Sequence, residues 1–233
     1  MKIALLGYGR MGKSIEAIAV DRNHSIVLKV SDSNSSYDFS EADVAIDFSI
    51  PTVAVTNIKK ALDAGVPVIS GTTGWLEHYD DIIDYCNSKN GTFLYASNFS
   101  LGVNIFFELN KRLSALMSSF PEYTTAIEEI HHTQKLDAPS GTAITLAEQI
   151  IAHTKHNNWT LDHPKSSEIH IDAKRIEGVP GTHEVTYNSE IDAISIKHTA
   201  HSRQGFAMGA VTAAEWIKDK KGIFSMKDVL NIG

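Results

Sequence analysis

Cysteine is all but missing from this chain. Cys86 is the only one in 233 residues, so no disulfide framework can form within the chain, and a reducing, cytoplasmic setting is the expectation. Cys86 falls in a helical-looking run and reads as a small buried apolar residue rather than a nucleophile. An excess of positive charge is missing too. With 21 Lys and Arg against 28 Asp and Glu, the net charge is -7, which argues against nucleic acid as a partner and leaves the binding of an anionic substrate to local groups. No apolar run approaches the roughly 18 to 20 residues of a membrane span, so no membrane partner is expected. The run at residues 2–6 stops at Gly7, too short for the apolar region of a signal peptide, and the mature protein is expected to start here. There is no internal repeat, and the only low-complexity stretch is the serine-rich loop at 31–36. What is present, 42% apolar and 21% charged residues, describes a globular protein of one large or two modest domains.

The first hundred residues alternate. Residues 2–6 read as a strand, and Gly7-Tyr8-Gly9-Arg10-Met11-Gly12 follows at once. A helical stretch at 14–20 and a second strand at 26–30 come next, ending at Asp32. A G-x-G-x-x-G motif is weak evidence alone, but here it closes a strand and opens a helix, with an acidic residue about 20 positions further on. Gly7 would permit the tight turn, Gly9 the approach of a pyrophosphate to the backbone, and Gly12 close helix packing. Asp32 would accept hydrogen bonds from an adenosine ribose and repel a 2′-phosphate, and Ser33, Asn34, Ser35 and Ser36 place no cation beside it. The cofactor reading is therefore NADH in preference to NADPH. Further strands are expected at 44–49, 66–70 and 92–96, with helices at 52–64 and 77–87 between them. Such alternation predicts an α/β fold, a Rossmann-type doubly wound parallel sheet, with its ligand crevice beyond the carboxyl ends of the strands. Asp47-Phe48-Ser49, Gly71-Thr72-Thr73-Gly74 and Asn98-Phe99 all lie at such strand exits.

After Gly102 the pattern changes to a long helix at 103–117, a strand at 123–130 and a helix from Ser140 to about 154. A polar loop at 155–167 leads to strand-like runs at 168–176, 183–187 and 193–199. This predicts a smaller α+β domain for substrate binding and oligomerisation, with a sheet open on one side. A last helix at about 206–218 and a tail at 228–232 would return to the first domain. The domains are therefore taken as 1–101 with 206–233, and 102–205, with hinge strands at 97–102 and 202–205. The segment Ile-His-His-Thr-Gln-Lys-Leu-Asp-Ala-Pro-Ser-Gly-Thr-Ala at 130–143 carries the chemistry. Pro139 discourages a helical Ala138, so the helix begins at Ser140, a good N-cap residue. The N–H groups of Gly141, Thr142 and Ala143, with the Ser140 and Thr142 hydroxyls, would then face a carboxylate or phosphate. Lys135 can bring an ammonium to the same place, and His131 and His132 titrate near neutrality.

Taken together, these stretches resemble the dihydrodipicolinate reductase (4-hydroxy-tetrahydrodipicolinate reductase) family over essentially the whole chain. The carriers are residues 7–12, 47–49, 71–74, 97–104 and above all 129–143, with support from Gly-Thr-His-Glu-Val at 181–185 and His-Ser-Arg-Gln-Gly-Phe-Ala at 201–207. The resemblance implies reduction of a cyclic dicarboxylate on the diaminopimelate route to lysine, using NADH or NADPH, in a cytoplasmic homotetramer. It implies that Gly71, Thr73, Asn98 and Phe99 hold the nicotinamide, and that Phe48 and Ser49 lie along the cofactor. It also implies that His132, Lys135, Ser140, Gly141 and Thr142 grip the substrate, and that His131 donates the proton. A histidine beside a dianion should have a raised pKa. Lys135 offsets substrate charge and shares in proton transfer, while Arg203 is a further candidate ligand and Arg175, His183 and His198 are left without a role. The stretch between Asp32 and Asp47 is shorter than in many family members, which bears on cofactor preference.

Three rival readings stay open on the sequence. One is another two-domain nicotinamide oxidoreductase, of which a semialdehyde dehydrogenase would need a thiolate that Cys86 is badly placed to supply. Another is an NADH-sensing protein without catalysis, which leaves the histidines and Lys135 idle. The third is a metal hydrolase, but neither His131-His132 nor His198-Thr-Ala-His201 has a zinc spacing such as H-E-x-x-H, so no metal is expected.

Overall fold

The structure, a computed structural model, describes residues 1–31, 37–202 and 204–232. The chain falls into two units, Met1–Leu101 with Gln204–Gly233, and Gly102–Arg203.

The first unit begins with β1 (Lys2–Leu6), α1 (Arg10–Asp21), β2 (Ser25–Val30), β3 (Val44–Asp47) and α2 (Pro51–Asp63). It continues through β4 (Val68–Ser70), a 3-10 turn at Leu76–His78, α3 (Tyr79–Ser88) and β5 (Thr92–Tyr95). The second unit holds α4 (Leu101–Met117), β6 (Thr124–His131), α5 (Gly141–Ile151), β7 (Asn158–Thr160), β8 (Glu168–Arg175), β9 (Gly181–Asn188) and β10 (Ala193–Ala200). The chain then returns to the first unit with α6 (Gln204–Ile217), β11 (Gly222–Phe224) and α7 (Met226–Leu230).

In the first unit six strands form one sheet in the order β11-β5-β4-β3-β1-β2, and every pairing is parallel. Alternate residues of each strand go to opposite faces. Ile3, Leu5, Val44 and Ile46 pack under Ile15 and Ala19 of α1 and under Ala207, Ala210, Val211 and Ala214 of α6. Ala4, Leu6, Ala45 and Val68 pack under Ala54, Ile58 and Leu62 of α2 and Ile82 and Cys86 of α3. Side chains covered on both faces explain the nearly unbroken apolar runs of these strands, and burial of each large one stabilises the fold by about 1.5 to 3 kcal/mol. This is the doubly wound sheet that the alternation predicts. Its order reverses at β1, which lies between β2 and β3, so the crevice of such a fold opens at the carboxyl ends of β1 and β3. Strand β11 was not expected: Gly-Ile-Phe is too short to show alternation and adds to the sheet edge beside β5. Cys86 is completely buried and its thiol pKa is raised by burial, which removes it as a nucleophile.

In the second unit five strands run in the order β10-β9-β6-β8-β7. β6 is antiparallel to β9 and parallel to β8, so the sheet is mixed. One face is covered by α4 and α5: Ile127, Ile169, Ile171, Val185 and Tyr187 meet Phe106, Met117, Leu146, Ala147 and Ile150. The other face carries Ala126, Glu128, His170, Asp172, Glu184 and Thr186 around a shallow hollow. Strand β7 lies within the stretch 155–167 that reads as a loop. Its three residues pair with β8, and its order comes from that partner and not from its own pattern. Among the described residues, no helix is long and apolar enough to cross a membrane.

Candidate active site

In the first unit the glycine motif sits where β1 ends. Gly7 has φ +95°, and a Cβ there would lie 2.2 Å from the Phe48 carbonyl oxygen, so only glycine satisfies both the turn and its neighbour. A Cβ on Gly12 would lie 2.5 Å from the Gly7 carbonyl oxygen, so this glycine lets α1 start against the turn itself. Gly9 faces open space, with nothing within 4 Å of a Cβ built on it. Gly9 is also the N-cap of α1 and supplies no side-chain cap. The first N–H groups of α1, which include those of Arg10 and Met11, are therefore capped by no side-chain oxygen among the described residues, as an anion site requires. A cavity of about 480 Å³ adjoins this end, lined by Gly7, Tyr8, Gly9, Val30, Ser31, Phe48, Ser49, Ile50, Val53 and Asn57. Asp32 lies outside the described residues, as does the serine-rich run that follows it.

Phe48 and Ser49 are held by a buried acid, Asp47, which the sequence places at a strand exit but to which it assigns no role. Asp47 is fully buried and accepts hydrogen bonds from Ser49 Oγ (2.6 Å), Thr72 Oγ1 (2.7 Å), Ser70 Oγ (2.9 Å) and Asn57 Nδ2 (3.2 Å). Burial raises its pKa and these four bonds oppose the rise. The network ties the exit of β3 to that of β4, and so fixes Phe48 and Ser49 against Gly71. A Cβ on Gly71 would lie 2.4 Å from the Phe48 ring. Thr73 is exposed on the loop after β4. Asn98 turns its Oδ1 back to the Ser100 N–H at 2.9 Å. Phe99 is only 1% exposed, and its ring packs 5.5 Å from the Phe48 ring.

In the second unit the covered face of the sheet turns polar at one end. Along β6 the inward residues Thr125 and Ile127 are followed by Glu129 and His131, two positions apart and hence on one face. His183 of β9 stands opposite Glu129, and Arg175 of β8 is in register with His131. The carboxylate of Glu129 has no exposure at all. Its two oxygens accept from the Ser140 backbone N–H at 3.1 and 3.0 Å, and Arg175 Nη2 reaches Oε1 at 3.2 Å. Burial alone would raise the Glu129 pKa, but hydrogen bonds from His183 and Ser140 and the attraction of His131 outweigh it and hold it at about 2.

His131 Nε2 lies 3.3 Å from His183 Nε2, and the Pro180 carbonyl accepts a hydrogen bond from the same ring. Burial, with repulsion by His183, pushes the His131 pKa down to about 4 against the pull of Glu129. Among the protein's own groups, desolvation is the largest influence on this ring. Ser140 is the N-cap of α5 as expected, but its Oγ accepts from the Ala143 N–H at 3.2 Å and lies 3.1 Å from His183 Nε2. The expected trio of ligand-facing N–H groups is therefore a pair: the cap occupies Ala143, while those of Gly141 and Thr142 meet no acceptor among the described residues. Lys135 is close by, yet its ammonium is paired with the Asp137 carboxylate at 2.7 and 2.9 Å. Arg175 fastens this loop by donating to the Lys135 carbonyl at 3.3 Å and the Asp137 carbonyl at 2.6 Å. Arg175 is thus no solvated surface cation. His132 follows directly on β6 and is half-buried. His198 stands opposite His183 on β10, with its ring 6.1 Å from that of Phe106. Arg203 lies outside the described residues.

Glu129, His183 and Arg175 are the residues that sequence reasoning missed as members of this cluster. The signal for Glu129 was present, since it shares a strand face with His131. His183 required the register of β6 against β9, which no local pattern supplies.

Comparison with known proteins agrees along the whole chain. Residues 1–99 match the family model described as dihydrodipicolinate reductase, N-terminus, and residues 102–230 match that described as dihydrodipicolinate reductase, C-terminus. A 4-hydroxy-tetrahydrodipicolinate reductase of Christiangramia forsetii is 57% identical, covering 99% of this chain and 98% of that protein. One from Methanosarcina acetivorans is 37% identical over 99% of this chain and 89% of that protein. Among solved structures, a dipicolinate-bound dihydrodipicolinate reductase from Paenisporosarcina sp. TG-14 has the same fold, with a TM-score of 0.76 at 21% identity and 97% of each chain covered.

Proposed function

The chain belongs to the dihydrodipicolinate reductase family, and on that premise we propose how its residues divide the reaction. It is an NAD(P)-dependent oxidoreductase that reduces 4-hydroxy-tetrahydrodipicolinate, or its dehydrated ring, to tetrahydrodipicolinate in lysine biosynthesis. When bound, the nicotinamide supplies a hydride to an electrophilic ring carbon. The open cavity at Gly9 and the uncapped start of α1 fit a dinucleotide pyrophosphate. Gly7, Gly9, Arg10, Met11 and Gly12 would hold that group, and Asp32 the adenosine ribose. Phe48 and Ser49 would lie along the cofactor, and Gly71, Thr73 and the main chain at Asn98 and Phe99 would receive the nicotinamide end.

The observation that carries the catalytic reading is the polar end of the second sheet. There an imidazole, His131, is tied through Glu129 and His183 to a helix start whose Gly141 and Thr142 N–H groups are left for a carboxylate. Bound dicarboxylate would raise the His131 pKa from its low resting value, so that the ring takes up a proton and delivers it to the ring carbon beside the one reduced. Lys135 would exchange Asp137 for the substrate, His132 and Ser140 would complete the grip, and Arg203 would add a second cation.

The test is NADH oxidation on addition of freshly made product of dihydrodipicolinate synthase, repeated with NADPH. Rapid oxidation is expected, with kcat/KM higher for NADH, because Asp32 has no cation beside it. No oxidation with either cofactor would end the reading, and equal efficiency with both would end the Asp32 argument. The resemblance also suggests a cytoplasmic homotetramer, for which the open face of the second sheet is the natural contact; light scattering on the same preparation reads the assembly.

A further inference from the structure

We propose that Glu129, His131 and His183 form a binding site for a divalent ion of the Zn²⁺ type, and that an ion seated there stops the reductase. The site stands on geometry and does not depend on the catalytic roles above; only its effect on turnover does.

Three ligand atoms converge. Glu129 Oε2 lies 3.7 Å from His131 Nε2 and 3.6 Å from His183 Nε2, and the two nitrogens are 3.3 Å apart. A point equidistant from three such atoms is about 2.0 Å from each, which is the length of Zn–N and Zn–O bonds. The edges of a zinc tetrahedron built on such bonds are about 3.3 to 3.5 Å, so these side chains need close in by only a few tenths of an ångström. Among the described residues, this is the one group of histidine, cysteine and acidic side chains that clusters in this way.

The surroundings prepare the ligands. The Pro180 carbonyl accepts from the His131 ring, and since Nε2 faces His183, Nδ1 is the nitrogen left to donate. That bond places the lone pair of a neutral His131 on Nε2, the arrangement by which carbonyls orient metal-bound imidazoles. The Ser140 N–H and Arg175 fix the carboxylate, so little ordering is left for the ion to impose. The His131 side chain is 13% exposed, which leaves a way in and a fourth position for water. Two imidazoles and one carboxylate suit Zn²⁺ or Co²⁺ and not the oxygen-seeking Mg²⁺ or Ca²⁺. Arg175 on the other oxygen of Glu129, and the Lys135 ammonium nearby, repel a dication. They hold the expected affinity below that of structural zinc sites. An ion here would occupy the His131 lone pair, so the ring could neither take up nor release a proton at Nε2.

The experiment uses the full-length protein freed of metal with a chelator and then titrated with Co²⁺. One equivalent is expected to give the visible absorption of four-coordinate Co²⁺, which Zn²⁺ then abolishes. His183→Gln and Glu129→Gln should each bind about ten-fold or more weakly, while His170→Gln and His153→Gln bind as the parent does. Zn²⁺ should cut NADH oxidation by the parent about ten-fold or more at saturation, with full recovery on adding chelator. Absence of a saturable spectrum, or a spectrum unaltered in both His183→Gln and Glu129→Gln, would overturn the site. Saturable binding with unchanged turnover would overturn the inhibition.

Discussion

Replacement of His131 by glutamine lowers kcat by about two orders of magnitude or more and leaves KM within a few-fold of the parent, the scale on which loss of a general acid is felt. Glutamine keeps the length of the side chain and a polar end but cannot carry a proton to carbon. Its contacts with His183 and Pro180 can be partly reproduced, so the fold should survive, and near-parental thermal unfolding would establish that. The split between kcat and KM matters because the groups proposed to bind carboxylate, Gly141, Thr142 and Lys135, lie beyond the end of β6, so a change confined to the His131 ring leaves them in place. The low resting pKa of His131, about 4, adds a second signature. A ring that is neutral in the free protein must gain its proton with the substrate, so binding of a dicarboxylate at pH 7 should draw protons from solution in the parent and fewer in the variant. An unchanged kcat would remove His131 from the chemistry.

Glu129→Gln should destabilise the chain by about 3 kcal/mol at pH 7, the equivalent of moving one carboxyl pKa from its ordinary 4.5 to about 2. The amide would turn a donor toward either the Ser140 N–H or Arg175, both of which now face an acceptor. The sign follows from the depressed pKa. The contribution of Glu129 is fully present above about 4.5 and fades as the pH falls toward 2, where the folded state also takes up the proton. Urea midpoints of parent and variant should therefore lie far apart at pH 7 and draw together as the pH falls, with about half of the gap lost by pH 3. A gap of constant size across that range would show that the carboxylate charge contributes nothing.

Much of the architecture was legible because local signals and tertiary needs coincide. In β1 the apolar run, the stop at Gly7 and the helix after it all follow from one buried parallel strand feeding a turn. The start of α5 was readable from Pro139 and Ser140 together, since one limits the preceding residue and the other supplies a cap. Illegible features depend on partners distant in sequence. Strands β7 and β11 have three residues each and exist by pairing with β8 and β5. The pairing of Lys135 with Asp137 and the use of the Ser140 hydroxyl on Ala143 are choices among neighbours of equal chemistry, and only coordinates decide them. Asp47 shows the same limit, because a strand-end aspartate looks the same whether it meets solvent or four buried donors. The Glu129 cluster lies between these cases: its spacing to His131 was visible, but its meaning needed His183 from a strand 50 residues away, about half the chain of a small domain.

The most direct test of the central claim is isotopic. NADH carrying deuterium at both C4 positions is turned over with the cyclic dicarboxylate, and the product is weighed by mass spectrometry. Reduction as described here puts one deuterium into each product molecule, bound to ring carbon and not washed out by water. Consumption of the labelled cofactor with an unlabelled product would contradict hydride transfer to the ring, and with it the division of roles between the glycine motif of the first unit and the histidine cluster of the second.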